Sequence, residues 1–303
     1  MNKEFINYFM RQDKFPDEAI AAFNEAMSSL CERPGLEARI DRLCDKFNRS
    51  RKKDFRAYIA SLDDIAERAG VSGYTIQLLF VIMCAEGLKE RYHKRKIDEA
   101  VFWDSMADLR CKLLECKKVK GVWGSFVTGW FSGFFFMDRF ALGRFQFEER
   151  GFEGDSYTSN GYTVNKGDTV YNFHIPSLPV PLSDEIRLDS YKRAYEFYKD
   201  RLCGKPIVYV CGSWLLYPEH INILPPQSNI LKFMSDFDIY ASREKEEFTD
   251  DWRVFDGYTS LPVADWPEDS SLRRAIKAHL LSGGKMGYGN GIIIFDGEKI
   301  INK

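Results

Sequence analysis

Val170-Tyr171-Asn172-Phe173-His174-Ile175-Pro176-Ser177-Leu178-Pro179-Val180-Pro181-Leu182-Ser183-Asp184-Glu185 is the stretch that decides how the second half of this chain folds. Residues 170–175 read as a strand. Pro176, Pro179 and Pro181 end it and forbid helix until Ser183, whose side chain can cap a helix beginning at Asp184. Within that helix Leu188, Tyr191, Tyr195, Tyr198 and Leu202 share one face, and Gly204 terminates it. Residues 206–215 follow as a buried strand, Ser228 can cap a helix through Phe233, and residues 237–242 resume strand. A right-handed crossover through the first helix makes the strands at 170–175 and 206–215 parallel neighbours.

Working outward, residues 142–149 alternate Phe145 and Phe147 with Arg144, Gln146 and Glu148, the period of a half-buried strand, and residues 151–160 read as a turn. Trp252 to Phe255 and Gly291 to Phe295 look like two further strands, with the acidic stretch 243–251 as a hairpin or solvated loop. The glycine-rich tract 283–291 lacks the Gly-Lys-Ser/Thr ending of a phosphate loop and leads from a helix into a strand, so it reads as a flexible hairpin or lid.

Residues 16–119 have the other texture, with apolar side chains recurring three or four apart, and five helices fit them. The segment from Tyr74 is greasy on most faces, which suits the centre of a bundle, and its basic end at Lys89, Arg91, Lys94, Arg95 and Lys96 suits a helix C-terminus. Nine aromatic and apolar residues between Trp123 and Phe140 read as an amphipathic helix docking this half onto a sheet. The fold class is α/β (α+β), with a helical domain at 1–140 packed on a mixed-sheet domain at 141–303.

Composition bounds the function. In 303 residues, 45% hydrophobic and 15% aromatic content demands a sizeable core. Forty-three Lys and Arg balance 45 Asp and Glu, so no global positive field gathers nucleic acid or anionic lipid. Seven cysteines without a CxxC pair read as reduced thiols, and the N-terminus carries no apolar signal region. The longest apolar runs stop short of the roughly 18 residues of a membrane span. The expectation is a cytoplasmic protein, with no nucleic-acid or membrane partner and no metal, since His93, His220 and His279 lack ligand spacing.

The order of elements, together with Leu142-Gly143-Arg144-Phe145-Gln146-Phe147-Glu148, His174-Ile175-Pro176, Ser213-Trp214-Leu215-Leu216 and Ser228-Asn229-Ile230-Leu231, resembles the bacterial acyltransferase-domain proteins. These carry a helical N-acyltransferase N-terminal domain and a GNAT-like C-terminal domain. The resemblance implies acetyl-CoA or another acyl-CoA as acyl donor and a small amine as acceptor. It makes residues 170–175 the fourth strand of the fold. The coenzyme A site would then be the edges of that strand and the next, at Phe173, Ile175 and Cys211, the first helical turn at Ser183 and Asp184, and the helix opening at Asn229. The loop here has no glycine, where GNAT enzymes carry an Arg/Gln-x-x-Gly-x-Gly/Ala signature, and Asp236 stands where many have a general-acid tyrosine. Arg187 and Lys192 are available to offset the charge of Asp184 and Glu185 against pyrophosphate.

Three residues are candidates for the chemistry. His174 lies just before the loop and its imidazole can take a proton near neutral pH; Glu148 sits at the end of the aromatic strand, where a base can act through water; Ser213 or Cys211 can bond or accept the acyl group. Arg144 can pair an anionic substrate or Glu148. Two rival readings remain: a non-catalytic GNAT-shaped metabolite-binding or interaction protein, and a hydrolase using Ser213, whose Gly212-Ser213-Trp214 lacks the full nucleophile elbow.

Overall fold

A computed structural model describes residues 1–303, which divide into two compact units, Met1–Ala141 and Leu142–Lys303. The first unit is helical: α1 (Lys3–Gln12), α2 (Asp17–Glu32), α3 (Leu36–Arg49), α4 (Ile59–Ala69), α5 (Gly73–Lys94), α6 (Glu99–Lys120) and the short α7 (Ser132–Phe136). The sequence pattern begins at α2 and misses α1, whose buried residues Ile6, Phe9 and Met10 are too few to announce a stripe. Helix α5 is the centre of this unit, with every residue from Thr75 to Ala85 buried. Around it Phe47 and Phe55 stack at 4.3 Å, and Phe80 and Phe135 meet both rings edge-on or nearly so. The basic end of α5 is absorbed locally: Lys89 pairs with Glu99 at 2.7 Å and Arg91 donates to the Phe135 carbonyl.

The aromatic segment before Phe140 departs from expectation. In place of one amphipathic helix it forms a 3₁₀ turn at Thr128–Phe131 that runs directly into the five-residue α7. Phe131, Phe134 and Phe135 are buried, and the Arg139 guanidinium lies 3.9 Å from the centre of the Trp130 ring.

The second unit is built on a mixed sheet of order β1-β2-β5-β6-β8-β7. Its strands are β1 (Arg139–Leu142), which carries the chain between the units, β2 (Phe145–Gly151), β5 (Thr169–His174), β6 (Ile207–Ser213), β7 (Asp238–Glu244) and β8 (Gly287–Phe295). β3 (Ser156–Ser159) and β4 (Tyr162–Asn165) form a separate hairpin where a plain turn is expected. Asn160 and Gly161 turn it with φ of 47° and 80°, the paired positive values that hairpin turns favour.

Helix α8 (Asp184–Leu202) is the crossover from β5 to β6, and the two strands are parallel neighbours, as the sequence order suggests. It covers one sheet face with tyrosines. Tyr191 stacks 5.6 Å from Tyr209, Tyr198 lies 4.2 Å from Tyr171, and Phe145, Phe147 and Phe173 fill the gaps. On the opposite face Val170, Val210, Ile292 and Ile294 pack with Tyr157 and Val164 of the hairpin.

Two short helices, α9 (His220–Ile223) and α10 (Asn229–Met234), follow β6, and Ser228 caps α10 by accepting from Ile230 N–H. Trp252–Phe255 is helix α11, not a strand: the Asp251 carboxylate accepts from Trp252 N–H, and the adjacent Val254 and Phe255 are both buried with Trp266 and Ile276 of α12 (Ser271–Leu281). A strand would send those neighbours to opposite faces. The glycine tract is no lid either. It enters β8, where a side chain on Gly289 would overlap the Leu216 carbonyl.

Candidate active site

The site is set by how little of β5 and β6 is paired. Their register holds only at Tyr171 with Tyr209 and Asn172 with Val210. Beyond that rung Phe173 and His174 on one strand, and Cys211, Gly212 and Ser213 on the other, no longer face each other across a ladder. The outer edges of both strands stay fully bonded, β5 to β2 through Gln146 and His174, and β6 to β8 through Ser213 and Gly289. The result is a wedge with main-chain groups on its two inner edges.

The proline loop closes one end. Arg144 donates from Nη1 to the Pro176 carbonyl at 2.8 Å and from Nε to the Val180 carbonyl at 3.1 Å. These two bonds fix the path of the loop. The Gly143-Arg144 turn is itself held by Ser190, whose Oγ donates to the Leu142 carbonyl and accepts from Phe145 N–H.

At the start of α8, Ser183 occupies the cap position without a side-chain bond to the helix amides, and Asp184 pairs with Arg187 at 3.1 Å. Arg187 is not available to a phosphate. It is almost wholly buried, and donates to both oxygens of Asp236 at 2.6 and 2.9 Å and to the Leu182 and Lys232 carbonyls. Asp236 also accepts from Tyr191 OH at 3.0 Å. The carboxylate that stands in the tyrosine's place is therefore a structural counter-ion. Lys192 lies 3.6 Å from Glu298.

His174 and Glu148 come together on the sheet face opposite α8. His174 Nε2 lies 2.9 Å from Glu148 Oε1, and Asn172 Nδ2 reaches the same carboxylate oxygen at 3.3 Å. The roles at Nε2 follow the tautomer: with the proton on Nε2 it donates to the carboxylate, and Nδ1 is then the basic nitrogen. The Asn172 amide contacts Nε2 at 3.1 Å and is the second donor to the carboxylate. Alternation along β5 explains the grouping: Tyr171 and Phe173 turn towards α8, whereas Asn172 and His174 turn away.

His174 and Asn172 line a cavity of about 570 Å³ with Gly212, Tyr288, Asn290 and Arg150, and Glu148 lies behind the ring. His174 aside, the polar wall was not legible from the sequence, because Arg150, Tyr288 and Asn290 are brought in from two other strands. The remaining candidates are placed differently. Phe173 is buried in the aromatic layer under α8, so only its main chain borders the wedge. Ile175 follows it into the loop. Cys211 is buried, and desolvation pushes its thiol up to about 12, with Arg150 opposing weakly. It stays protonated and is no nucleophile. Ser213 Oγ accepts from Leu215 N–H and caps the 3₁₀ turn at Trp214–Leu216. Asn229 is the exposed first residue of α10. His220, outside this site, is buried and bonded to the Trp214 carbonyl at 2.8 Å.

Residues 4–137 match the family described as N-acyltransferase N-terminal domain, and residues 140–293 match the GNAT-like C-terminal domain. Among solved structures, an acyltransferase in complex with decanoyl-CoA and teicoplanin superposes with a TM-score of 0.71 at 19% identity, over 94% of this chain and 86% of that one. A mutant acyltransferase in complex with octanoyl-CoA gives 0.72 at 18% identity, covering 97% and 89%. An acyltransferase in complex with decanoyl-CoA gives 0.66 at 17%, covering 96% and 99%. These likenesses are of fold. No curated protein sequence matches the chain. No single helix is long and apolar enough to cross a membrane.

Proposed function

The chain belongs to the family that joins an N-acyltransferase N-terminal domain to a GNAT-like C-terminal domain, and from that premise we propose that it transfers an acyl group from acyl-CoA to an amine. The observation that carries the reading is the two-residue ladder between β5 and β6. A pantetheine arm is an extended chain with two amides, and it suits a slot whose walls are strand edges. The pyrophosphate would lie at the first turn of α8, where free main-chain N–H groups and the helix dipole favour negative charge.

In this proposal the acceptor amine attacks the thioester carbonyl carbon, the C–N bond forms and the C–S bond breaks. His174 Nδ1 takes the proton that the nitrogen sheds, and Glu148 stabilises the imidazolium through Nε2. The proton then passes to the departing sulfur, giving amide and free coenzyme A thiol. Asp236 is excluded as its donor by its bonds to Arg187 and Tyr191. Neighbours of the same fold are in complex with acyl-CoA, one of them also with teicoplanin, which supports an acyl-CoA donor and argues against limiting the acceptor to small amines.

Titration calorimetry with acetyl-, octanoyl- and decanoyl-CoA, followed by thiol release in the presence of amines, tests the proposal. Binding with amine-dependent thiol release is the expected result. Failure of every acyl-CoA to bind overturns it, and binding without release to any amine turns the protein into a non-catalytic sensor. Release without an amine, abolished by Ser213→Ala, would make it a hydrolase.

A further inference from the structure

The cavity in front of His174 is lined by two guanidiniums against one carboxylate, that of Glu153 at its solvent-exposed side. Arg150 enters it from β2 and Arg243 from β7, on strands separated in the sheet by β5, β6 and β8. Neither guanidinium is consumed by the fold. Arg150 Nε is buried with no hydrogen-bond acceptor, and its nearest carboxylate, Glu153, stands 3.7 Å from Nη1 and is itself 78% exposed. Arg243 has no ion pair and lies 5.9 Å from the Tyr288 ring, opposite its register partner.

Between them the wall is neutral and hydrogen-bonding: the Tyr288 hydroxyl and the Asn290 and Asn172 amides. The floor is bare main chain at Gly212, where a Cβ would come within 2.5 Å of Tyr288 OH and 2.8 Å of Asn290 Oδ1. A side chain there would push the Tyr288 hydroxyl and the Asn290 amide out of their present positions. Guanidinium groups are planar forks matched to carboxylate and phosphate oxygens, and a buried N–H without an acceptor is costly.

We infer that the acceptor is an amine that also carries an oxyanion, a carboxylate or a phosphate, held by Arg150 and Arg243 with its nitrogen turned to His174. This deepens the transferase reading and rests on it. The cofactor's own phosphates do not compete in that scheme, because they lie at the first turn of α8, whose helix covers the opposite sheet face through Tyr191 and Tyr198. With the oxyanion fixed at one end, the amine is presented at the other without its positive charge being drawn to Glu148, which His174 and Asn172 already occupy.

Matched pairs of amines test it: glycine against glycinamide, and phosphoethanolamine against ethanolamine, each titrated calorimetrically into the full chain and into Arg150→Gln, Arg243→Gln and the double variant. One member of at least one pair, the anionic one, should bind about tenfold or more tighter than its neutral partner, and the double variant should reduce that preference below about threefold. The pair that responds separates carboxylate from phosphate. Decanoyl-CoA affinity should change by less than about twofold. Arg243 is exposed on the edge strand, so its variant remains informative if Arg150→Gln fails to fold. Equal binding within both pairs in the unaltered chain overturns the inference while leaving the transferase reading intact. Loss of decanoyl-CoA affinity in the arginine variants also overturns it, by giving the arginines to the cofactor. If no acyl-CoA binds at all, the amine titrations still read the cavity on their own.

Discussion

The Arg144 guanidinium donates to the carbonyls of both Pro176 and Val180, so a residue in the turn before β2 sets the path of the loop after β5. A loop with three prolines offers few N–H groups for self-bonding, and its carbonyls need an outside donor. Arg144→Gln is expected to raise the Kd for acyl-CoA about tenfold with a smaller effect on kcat. Calorimetry and steady-state kinetics on the same variant check this. An unchanged Kd would show that the loop holds its path alone.

Asp236 is the only carboxylate paired with Arg187 in a largely desolvated setting, because the other, Asp184, is 75% exposed. Asp236→Ala leaves a buried guanidinium and the Tyr191 hydroxyl without their acceptor. Breaking such a pair costs about 3–5 kcal/mol. Urea denaturation of the variant should show a loss of that order, and a loss below about 1 kcal/mol would mean that water replaces the carboxylate.

His174→Ala should lower kcat about a hundredfold or more while acyl-CoA affinity changes less than about threefold. Glu148→Gln should fall between, since the amide keeps a hydrogen bond to the ring but loses the charge that stabilises imidazolium. Equal losses in kcat and affinity for His174→Ala would remove it from the chemistry.

Burial protects Cys211. With its thiol raised to about 12, it should resist iodoacetamide in the native protein at pH 8, whereas the exposed Cys31 and Cys203 react. Peptide mass mapping after alkylation reads this directly. Labelling of Cys211 at the rate of Cys31 would show that the sheet opens.

Burial also holds His220 below its ordinary 6.5, against the opposing hydrogen bond to Trp214. Its Nδ1 is buried without a partner, so a second proton would have no acceptor. The unfolded chain therefore binds the proton more tightly, and the stability from neutral His220 is complete above pH 6.5 and lost as pH falls from there towards the folded value. Unfolding free energies at pH 7.5 and 5.5 should differ less in His220→Gln than in the unaltered chain.

The proline punctuation and the alternation of Phe145 and Phe147 made the β5-α8-β6 crossover readable, because both are local signals. Trp252 to Phe255 misled for the same reason: four residues carry too little period to separate strand from helical turn, and the Asp251 cap decided it. His174 and Glu148 were legible as individuals, but their contact depends on a register between β2 and β5 that no local pattern states. Arg150, Tyr288 and Asn290 were invisible as a group, since the sheet order that assembles them is not the chain order.

Two rungs join β5 to β6, and α8 bridges the same strands from above, through Tyr198 against Tyr171 of β5 and through the Tyr191 carbonyl, which accepts from Tyr209 OH of β6. Anything that slides between the strands beyond Asn172 therefore finds its hydrogen-bonding partners already released, and no ladder has to melt to admit it. Entry should be limited by diffusion and loop clearance, with the shallow temperature dependence of those events and none of the steep activation enthalpy of unzipping a sheet.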